Sequence, residues 1–274
     1  MSNHSNTEVV NALEKVAKIV KQCGNENDIN YFEYHKGRYL RMAQTLYKDK
    51  RPEGVSVLNM GSHYLHVSLL FKFLGYEVHS MDVSEFWELD FVKSRAEMYG
   101  LNSIIDNNFE TLKSMEGINS KYDIMLFTEI LEHITFNPIL FWQKVYHIMK
   151  ATGVIYISTP NSLCLANIIR SIARILTFRG IGLPVNEIFR TVTYGHHWKE
   201  YSSSEIQRYF ARMSDDFNVT IKRYHYKKTQ ITSVLTALTA FLNFIGNHIF
   251  LGDDIEAMVK IEKKGSWKIE PPKY

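Results

Sequence analysis

The stretch Val55–Ser62, which reads V-S-V-L-N-M-G-S, decides the fold of this chain. Its apolar start predicts a buried strand over 55–59, and Gly61 predicts a tight turn. A helix pattern and a second strand follow, and the second strand leads into Asp82, 21 residues after Gly61. Units of this kind bind nucleotides, because the turn presents backbone N–H groups and the acid accepts hydrogen bonds from ribose hydroxyls.

The turn departs from the glycine-rich pattern that such units usually have. After Gly61 the chain reads Ser62-His63-Tyr64-Leu65, so His63 and Leu65 stand where further glycines are expected. Glycine at these positions permits a positive φ and a close approach of the ligand to the backbone. A Cβ there costs about 1–2 kcal/mol or blocks the ligand. We therefore expect the fold to survive and the affinity for the ligand to suffer.

Strands and helices alternate from this unit onward. The predicted strands after Asp82 cover 102–106, 122–128, 153–158, 217–226 and 255–262, and the predicted helices cover 64–74, 87–99, 136–149 (closed at Gly153) and 203–212. This alternation predicts an α/β fold with a doubly wound, mainly parallel sheet and helices on both faces. The ligand crevice of such a sheet lies at the carboxyl ends of its strands.

The rest of the chain is organised around this sheet. Residues 1–50 carry two helix patterns, over 7–22 and 30–48, and are predicted to form an N-terminal helical cap. Residues 51–274 form the α/β domain, with insertions at 161–195 and 229–252. Both insertions are expected above the crevice, where a substrate lid would lie.

Composition excludes several classes of protein. An apolar content of 45% supplies a sizeable core, and a net charge of +3 is too small to indicate nucleic-acid binding. Cys23 and Cys164 have no ligand or disulfide spacing, so no metal site is predicted and a reducing compartment is indicated. The polar start has no signal-peptide pattern, which favours a cytoplasmic location.

Four stretches, taken in order, carry a resemblance to a known family. They are Val57–Leu65 with Asp82, Asp123–Ile134 with an E-x-L-E-H ending, Gly153–Asn161 with a T-P-N exit, and Gly195–Ser202 with an H-x-x-x-E-Y-S step. Together they resemble the class I S-adenosylmethionine-dependent methyltransferases, nearest the ubiquinone-biosynthesis and polysaccharide-cluster branch. The resemblance covers most of residues 30–264 and implies a seven-stranded Rossmann-like sheet with an antiparallel last strand.

The resemblance implies S-adenosyl-L-methionine as the cofactor and assigns residues to it. The residues that match the family's cofactor positions are Asn59, Gly61, Ser62, Asp82, Asn108, Thr128 and Glu129. Asp82 would bind the ribose, although an acid at a strand end is also an ordinary turn residue. Asn108 would read the adenine amine, with Asp106 as its competitor. Thr128 and Glu129 would line the methionine moiety, and a helix start is the alternative for Thr128.

Three histidines are candidates for a general base. His133, His196 and His197 fall in matched stretches, and a histidine can take a proton from a hydroxyl acceptor near neutral pH. The alternative is that they hold loops in place by hydrogen bonding and packing. Arg38 also has two interpretations. It could pair with the carboxylate of the cofactor, or it could lie on a solvated face of its helix.

The insertions add two apolar segments. Residues 162–178 carry an apolar stripe opposite Arg170, Arg174 and Arg179, and Ile231–Leu251 has no charged residue but follows Lys222, Arg223, Lys227 and Lys228. The second segment is too polar for a comfortable membrane span. It fits an in-plane interfacial helix or a lid over an apolar substrate. A helix pair buried on itself or in a homodimer is the alternative.

The predicted function is S-adenosylmethionine-dependent methyl transfer, with O-methylation of a glycan, a lipid-linked sugar or a hydrophobic small molecule. Peripheral contact with a membrane and a homodimer are the predicted associations. A binding or scaffolding protein that has lost catalysis is the competing hypothesis, because of the turn at Asn59–Leu65. A dehydrogenase-type dinucleotide binder is disfavoured by Glu129–His133 and Thr159–Asn161.

Overall fold

The computed structural model describes residues 3–49, 52–178, 182–183, 185–190, 195–226, 232–249 and 251–273. The chain forms two compact units. The N-terminal unit comprises Met1–Leu126 and Gln143–Gly153, and the C-terminal unit comprises Phe127–Trp142 and Val154–Tyr274.

Helices and strands alternate through most of the chain. The helices are α1 (Asn3–Cys23), α2 (Glu26–Asp49), α3 (His66–Phe73), α4 (Ser84–Trp87), α5 (Asp90–Tyr99), α6 (Ile139–Ile148), α7 (Leu165–Leu176), α8 (Val185–Arg190), α9 (Ser203–Met213) and α10 (Val234–His248). The strands are β1 (Ser56–Met60), β2 (Glu77–Asp82), β3 (Asn102–Ile105), β4 (Tyr122–Thr128), β5 (Met149–Pro160), β6 (Phe217–Tyr224) and β7 (Asp254–Ile261). Single 3₁₀ turns lie at Lys113–Met115 and Leu131–His133.

The strands form one seven-stranded sheet in the order β3-β2-β1-β4-β5-β7-β6. β1, β2 and β3 pair in parallel, whereas β7 runs antiparallel to both β5 and β6. Met60 pairs with Met81, and Asp82 pairs with Ile105, so the three parallel strands end at one edge. The predicted doubly wound sheet with an antiparallel last strand is therefore confirmed.

The two N-terminal helices pack on each other through apolar stripes. The buried residues of this packing are Val9, Leu13, Val16 and Val20 on α1 and Phe32, Met42 and Leu46 on α2. Gly24, with a φ of +71°, ends α1 as predicted. α2 begins earlier than the predicted residue 30, because Asn25 Oδ1 accepts a hydrogen bond from Asp28 N at 3.0 Å and caps the helix. The domain boundary at residue 50 stays a prediction.

A buried ionic cluster connects three helices of the N-terminal unit. Asp28 on α2 accepts hydrogen bonds from both terminal nitrogens of Arg95 on α5 and lies 2.6 Å from His66 Nε2 on α3. All three side chains are nearly inaccessible to solvent. Burial alone would raise the pKa of Asp28, but its hydrogen bonds to His66 and Arg95 hold that pKa below its usual value. Sequence analysis did not find this cluster.

The helix predicted over 136–149 is present as α6, but its predicted end at Gly153 is wrong. α6 ends at Ile148, and Gly153 lies inside β5. Thr152, with a φ of 68°, makes the sharp bend, and a Cβ on Gly153 would lie only 2.8 Å from Lys150 O. Glycine is therefore needed here for close packing and not to end a helix.

The C-terminal unit contains the antiparallel part of the sheet and the helices of both insertions. Ser202 and Glu205 form a capping box that begins α9, and Ser233 with Thr236 does the same for α10. Gly246 of α10 lies against Leu165 of α7, so the two insertion helices contact each other.

The described helices include none that is long and apolar enough to cross a membrane. Within Ile231–Leu251, the structure describes the helix α10, Val234–His248. Arg179, Lys227, Lys228 and Ile231, which entered the membrane hypothesis, lie outside the described residues.

Candidate active site

The turn after β1 has a left-handed backbone at two residues that are not glycine. Gly61, His63 and Leu65 have φ values of 66°, 46° and 66°, so all three lie in the left-handed region. Ser62 N donates to Met81 O at 3.0 Å, and Leu65 N donates to Ser62 O at 2.8 Å. A left-handed conformation at a non-glycine residue costs about 1–2 kcal/mol. The turn therefore stores strain at His63 and Leu65.

Packing and hydrogen bonding hold His63 in this conformation. Its backbone N–H donates to Asp82 Oδ2 at 2.6 Å, and its ring stacks on Tyr31 with centroids 4.2 Å apart and planes at 21°. Phe86 lies on the same ring at 4.4 Å. Burial lowers the pKa of His63 to about 3, so the imidazole is neutral in the folded protein.

Asp82 lies at the end of β2, as its sequence position predicts. The carboxylate is buried and accepts hydrogen bonds from His63 N through Oδ2 and from Val83 N through Oδ1, the second at 2.8 Å. Burial raises the pKa of Asp82 to about 6. Each carboxylate oxygen has room for more than one donor, and binding of ribose by Asp82 stays a prediction.

Asn59 is engaged inside the N-terminal unit. Its Nδ2 donates to Ser68 Oγ at 2.9 Å, and Ser80 Oγ donates to the same hydroxyl at 2.8 Å. This buried network connects β1, α3 and β2 behind the turn. Asn59 therefore orders the turn from within, and its contact with the cofactor stays a prediction.

The two candidates for adenine recognition, Asp106 and Asn108, have different surroundings in the loop after β3. Asp106 is buried and accepts hydrogen bonds from Asn108 N at 2.9 Å and from the Ser114 backbone and hydroxyl at 2.9 and 2.7 Å. Asn108 is exposed, and its Oδ1 accepts from Thr111 N at 3.2 Å. The structure thus uses Asp106 to shape the loop, and adenine recognition by Asn108 stays a prediction.

Arg38 is not on a solvated helix face. Only 2% of its surface is exposed, so that alternative is wrong.

Thr128 and Glu129, the residues assigned to the methionine moiety, lie in the C-terminal unit. Glu129 N donates to Ser158 O at 2.8 Å, and Ser158 Oγ donates to Glu129 Oε1 at 3.1 Å. The helix-start alternative for Thr128 is also wrong, because only the 3₁₀ turn Leu131–His133 follows and it has no side-chain cap.

Glu132 is a buried acid that sequence analysis quoted within the E-x-L-E-H stretch but did not assign. Its Oε2 accepts a hydrogen bond from Thr159 Oγ1 at 2.9 Å. Among the residues that the structure describes, none donates a hydrogen bond to Oε1. Burial, with the nearby charge of Glu129, raises the pKa of Glu132 to about 8. The signal that could have found it is the acid directly before His133.

His133 is both held in place and open to a reacting group. Its Nδ1 lies 2.9 Å from the carbonyl oxygen of His196, so Nδ1 carries the proton and the lone pair is on Nε2. The side chain is 22% exposed, and Nε2 lies 3.9 Å from Glu132 Oε1. Burial lowers the pKa of His133, which keeps the imidazole neutral and able to accept a proton near neutral pH.

The other two histidines surround His133 in different ways. The rings of His197 and His133 are nearly perpendicular, with their centroids 5.0 Å apart. His197 Nδ1 lies 3.2 Å from Glu200 Oε1, and this contact raises the pKa of His197. His196 is buried, and its ring lies edge-on to Trp198. The carbonyl oxygen of His196 orients His133, and the role of any of the three histidines as a base stays a prediction.

Glu132, His133 and His197 also form a candidate cation site. Each offers one ligand atom, and these atoms lie within 4.8 Å of one another. Carboxylate and imidazole ligands suit several divalent metals. Sequence analysis predicted no metal site because Cys23 and Cys164 lack ligand spacing, and that prediction stays a prediction.

No protein-family model matches the sequence, and neither does any curated protein. Solved structures do match. A SAM-dependent methyltransferase from Archaeoglobus fulgidus is 13% identical, with a TM-score of 0.54 over 86% of this chain and 100% of that one. A methyltransferase in complex with the Trm112 activator of Haloferax volcanii is 11% identical, with a TM-score of 0.58 over 89% and 98%.

A third match carries a ligand. The 1,6-didemethyltoxoflavin-N1-methyltransferase of Burkholderia thailandensis, with bound 1,6-didemethyltoxoflavin and S-adenosylhomocysteine, is 13% identical, with a TM-score of 0.51 over 86% of this chain and 87% of that one. At such low identity these likenesses establish the fold. The seven-stranded order and the matches agree, and the chain has the fold of the class I S-adenosylmethionine-dependent methyltransferases.

Proposed function

We propose that the chain is an S-adenosylmethionine-dependent methyltransferase that methylates a hydroxyl group of a glycan, a lipid-linked sugar or a hydrophobic small molecule. The observation that carries the proposal is the turn after β1, where His63 and Leu65 keep left-handed backbones. Strain of this kind persists where function requires the backbone shape. A scaffold that had lost cofactor binding would have no reason to keep it.

The residues of the N-terminal unit fit the cofactor. Asp82, at the end of β2, can accept hydrogen bonds from ribose hydroxyls beside those from His63 N and Val83 N, and Asn108 has an exposed side chain for the adenine ring. S-adenosylmethionine supplies an activated methyl group on a sulfonium. One structural neighbour binds the demethylated product, S-adenosylhomocysteine, which supports this choice of cofactor.

The residues of the C-terminal unit fit a hydroxyl acceptor. With S-adenosylmethionine bound, transfer of its methyl group to a hydroxyl would release the hydroxyl proton, and His133 Nε2 would accept that proton. The hydrogen bond between His133 Nδ1 and His196 O stabilises the imidazolium that results. Alignment of the reacting atoms supplies most of the rate, and the base contributes the remainder.

The location and associations of the protein remain part of the proposal. We place it in the cytoplasm, with reversible contact to an anionic membrane surface or to a second copy. Exposed apolar side chains on α7 and α10 support both associations; they are Ile169, Ile172, Ile175, Leu176, Leu238, Phe241 and Phe244.

Calorimetric titration with S-adenosylmethionine should show binding, and Asp82→Ala should weaken it at least tenfold. Loss of a charge-assisted hydrogen bond costs about 1.5–3 kcal/mol, and the variant also releases the His63 N–H. Asp123→Ala is the matched control, because Asp123 also accepts a backbone N–H, from Ser56 at the start of β1. Equal affinity of the Asp82 variant and the wild type would reject the ribose assignment. Absence of binding to the wild type, with NAD as a further ligand, would favour the scaffold hypothesis.

His63→Gly should tighten cofactor binding severalfold without lowering the melting temperature. The substitution removes a left-handed non-glycine residue and frees the space that the imidazole takes beside Tyr31 and Phe86. His63→Ala is the control, because it removes the ring but keeps a Cβ at a positive φ. Weaker binding in both variants would mean that the imidazole itself contacts the cofactor. Leu65 is unsuited to this test, since it is fully buried and its loss would leave a cavity.

A further inference from the structure

The helix α7 has one polar side, on which two arginines lie next to each other. Asn167, Arg170, Ser171 and Arg174 recur at intervals of three and four residues, which places them on one side of the helix. Arg170 and Arg174 are four residues apart, so their guanidinium groups can reach the same ligand. The apolar residues of α7 occupy the opposite side.

This polar side lines a cavity of about 600 Å³ in the C-terminal unit. The opposite wall is the segment 195–200, which contributes His196, His197 and Trp198. The volume falls in the usual range for small-molecule sites. His197 lines the cavity, and its ring centroid lies 5.0 Å from that of His133. A ligand in the cavity would therefore lie beside the proposed base.

Each of the two arginines uses one nitrogen as a hydrogen-bond donor within the described residues. Arg170 donates to Asn167 Oδ1 at 3.0 Å, and Arg174 donates to Gly182 O at 3.1 Å. Among the side chains that the structure describes, no carboxylate lies within 4.0 Å of either guanidinium. A guanidinium has five N–H donors in a planar fork that matches phosphate oxygens. The pair can therefore bind a dianion.

The other charges of the cavity are already paired. Glu200 accepts a hydrogen bond from Asn167 at 3.1 Å and contacts His197, while Lys199 contacts Glu205 at 2.8 Å. The acid is thus held by Asn167 of α7 and by His197, and the lysine is held by an acid of α9. The charge left to face a ligand is positive and belongs to the arginines.

We propose that this cavity is the acceptor site and that Arg170 and Arg174 bind a phosphate ester on the acceptor. The inference rests on the proposed function and names its substrate class, a phosphorylated hydroxyl compound. Ser171 offers a hydroxyl and Trp198 offers an aromatic surface to the part that carries the acceptor hydroxyl. The phosphate can belong to a sugar phosphate or to a lipid phosphate, since both present the same group.

Binding to the full chain tests the proposal, with glucose 1-phosphate, dodecyl phosphate, inorganic phosphate and glucose as probes. At least one of the two phosphate esters should bind ten times more tightly than glucose and than inorganic phosphate, and the tighter ester identifies the source of the phosphate. The variant Arg170→Gln with Arg174→Gln should lose at least tenfold in that affinity, and Arg170→Lys with Arg174→Lys should recover part of it. Arg208→Gln, an exposed arginine on α9, is the matched control.

The outcomes separate this inference from the proposed function. Equal binding of the ester by the double Gln variant and the wild type would overturn the arginine site, as would equal binding of inorganic phosphate or of glucose. S-adenosylmethionine titration of the same variant should give wild-type affinity, which also shows that it folds. Arginine-dependent ester binding in a chain that binds no S-adenosylmethionine would overturn the methyltransferase function and keep the phosphate site.

Discussion

Replacing His133 with Gln should lower kcat by about 100-fold or more, with unchanged affinity for S-adenosylmethionine, because a positioned base contributes about 10²–10⁴-fold to proton transfer. Gln cannot accept the proton that His133 Nε2 takes from the acceptor hydroxyl. The measurement is release of S-adenosylhomocysteine during turnover of a hydroxyl acceptor. His147→Gln is the matched control, because His147 also places Nδ1 on a carbonyl oxygen, that of Gln143 at 2.6 Å, but is exposed on α6.

The pH profile gives a second measure of the same group. Since burial lowers the pKa of His133 below the ordinary value of 6.5, the acidic limb of kcat should lie below pH 6.5 and disappear in the Gln variant. Wild-type turnover in His133→Gln would mean that catalysis rests on alignment alone. Loss of turnover on chelation with EDTA would instead assign Glu132, His133 and His197 to a divalent cation that activates the acceptor.

Asp28→Ala should lower the free energy of unfolding by about 3–5 kcal/mol, the usual cost of breaking a buried ion pair. The substitution leaves Arg95 buried and without its acid and removes the partner of His66 Nε2. Urea unfolding measures the effect. Asp215→Ala is the control, since Asp215 pairs with Lys268 at the surface, where ion pairs contribute about 0–1 kcal/mol.

A second variant separates the ion pair from the packing around it. Asp28→Leu with Arg95→Met removes both charges, and its loss of stability should be smaller than that of Asp28→Ala. A double variant as unstable as Asp28→Ala would mean that the packing of α2 on α5, and not the charge, determines stability here.

The same cluster sets the response of stability to acid. The folded-state pKa values of Asp28 and His66 both lie below their ordinary values of 3.8 and 6.5. The folded protein therefore binds protons less readily than the unfolded chain at these groups. Their contribution to stability should be complete above pH 6.5 and decline on acidification, first through His66 and then through Asp28. In Asp28→Ala the part of this decline that belongs to Asp28 should be absent.

The sequence by itself determined the order of strands and helices and the place of the acid after β2. Val55–Met60 and Tyr76–Asp82 gave correct strands because runs of apolar residues between turn signals are local patterns. The antiparallel last strand followed from the family resemblance and is confirmed by the pairing of β7 with β5 and β6. The predicted end of the helix at 136–149 is wrong, because Gly153 is needed for close packing. A glycine in a sequence does not show whether it ends a helix or permits close packing.

The tertiary structure alone decided which distant side chains meet. It placed His197 beside Glu132 and His133, joined Asp28 to Arg95, and set Arg170 and Arg174 against the segment 195–200. It also gave His63 and Leu65 the left-handed backbones that glycine would adopt more readily. The physical reason is that hydrophobic periodicity acts between neighbours in the chain. Charge pairing, burial and backbone strain depend instead on contacts that exist only once the helices and strands have packed.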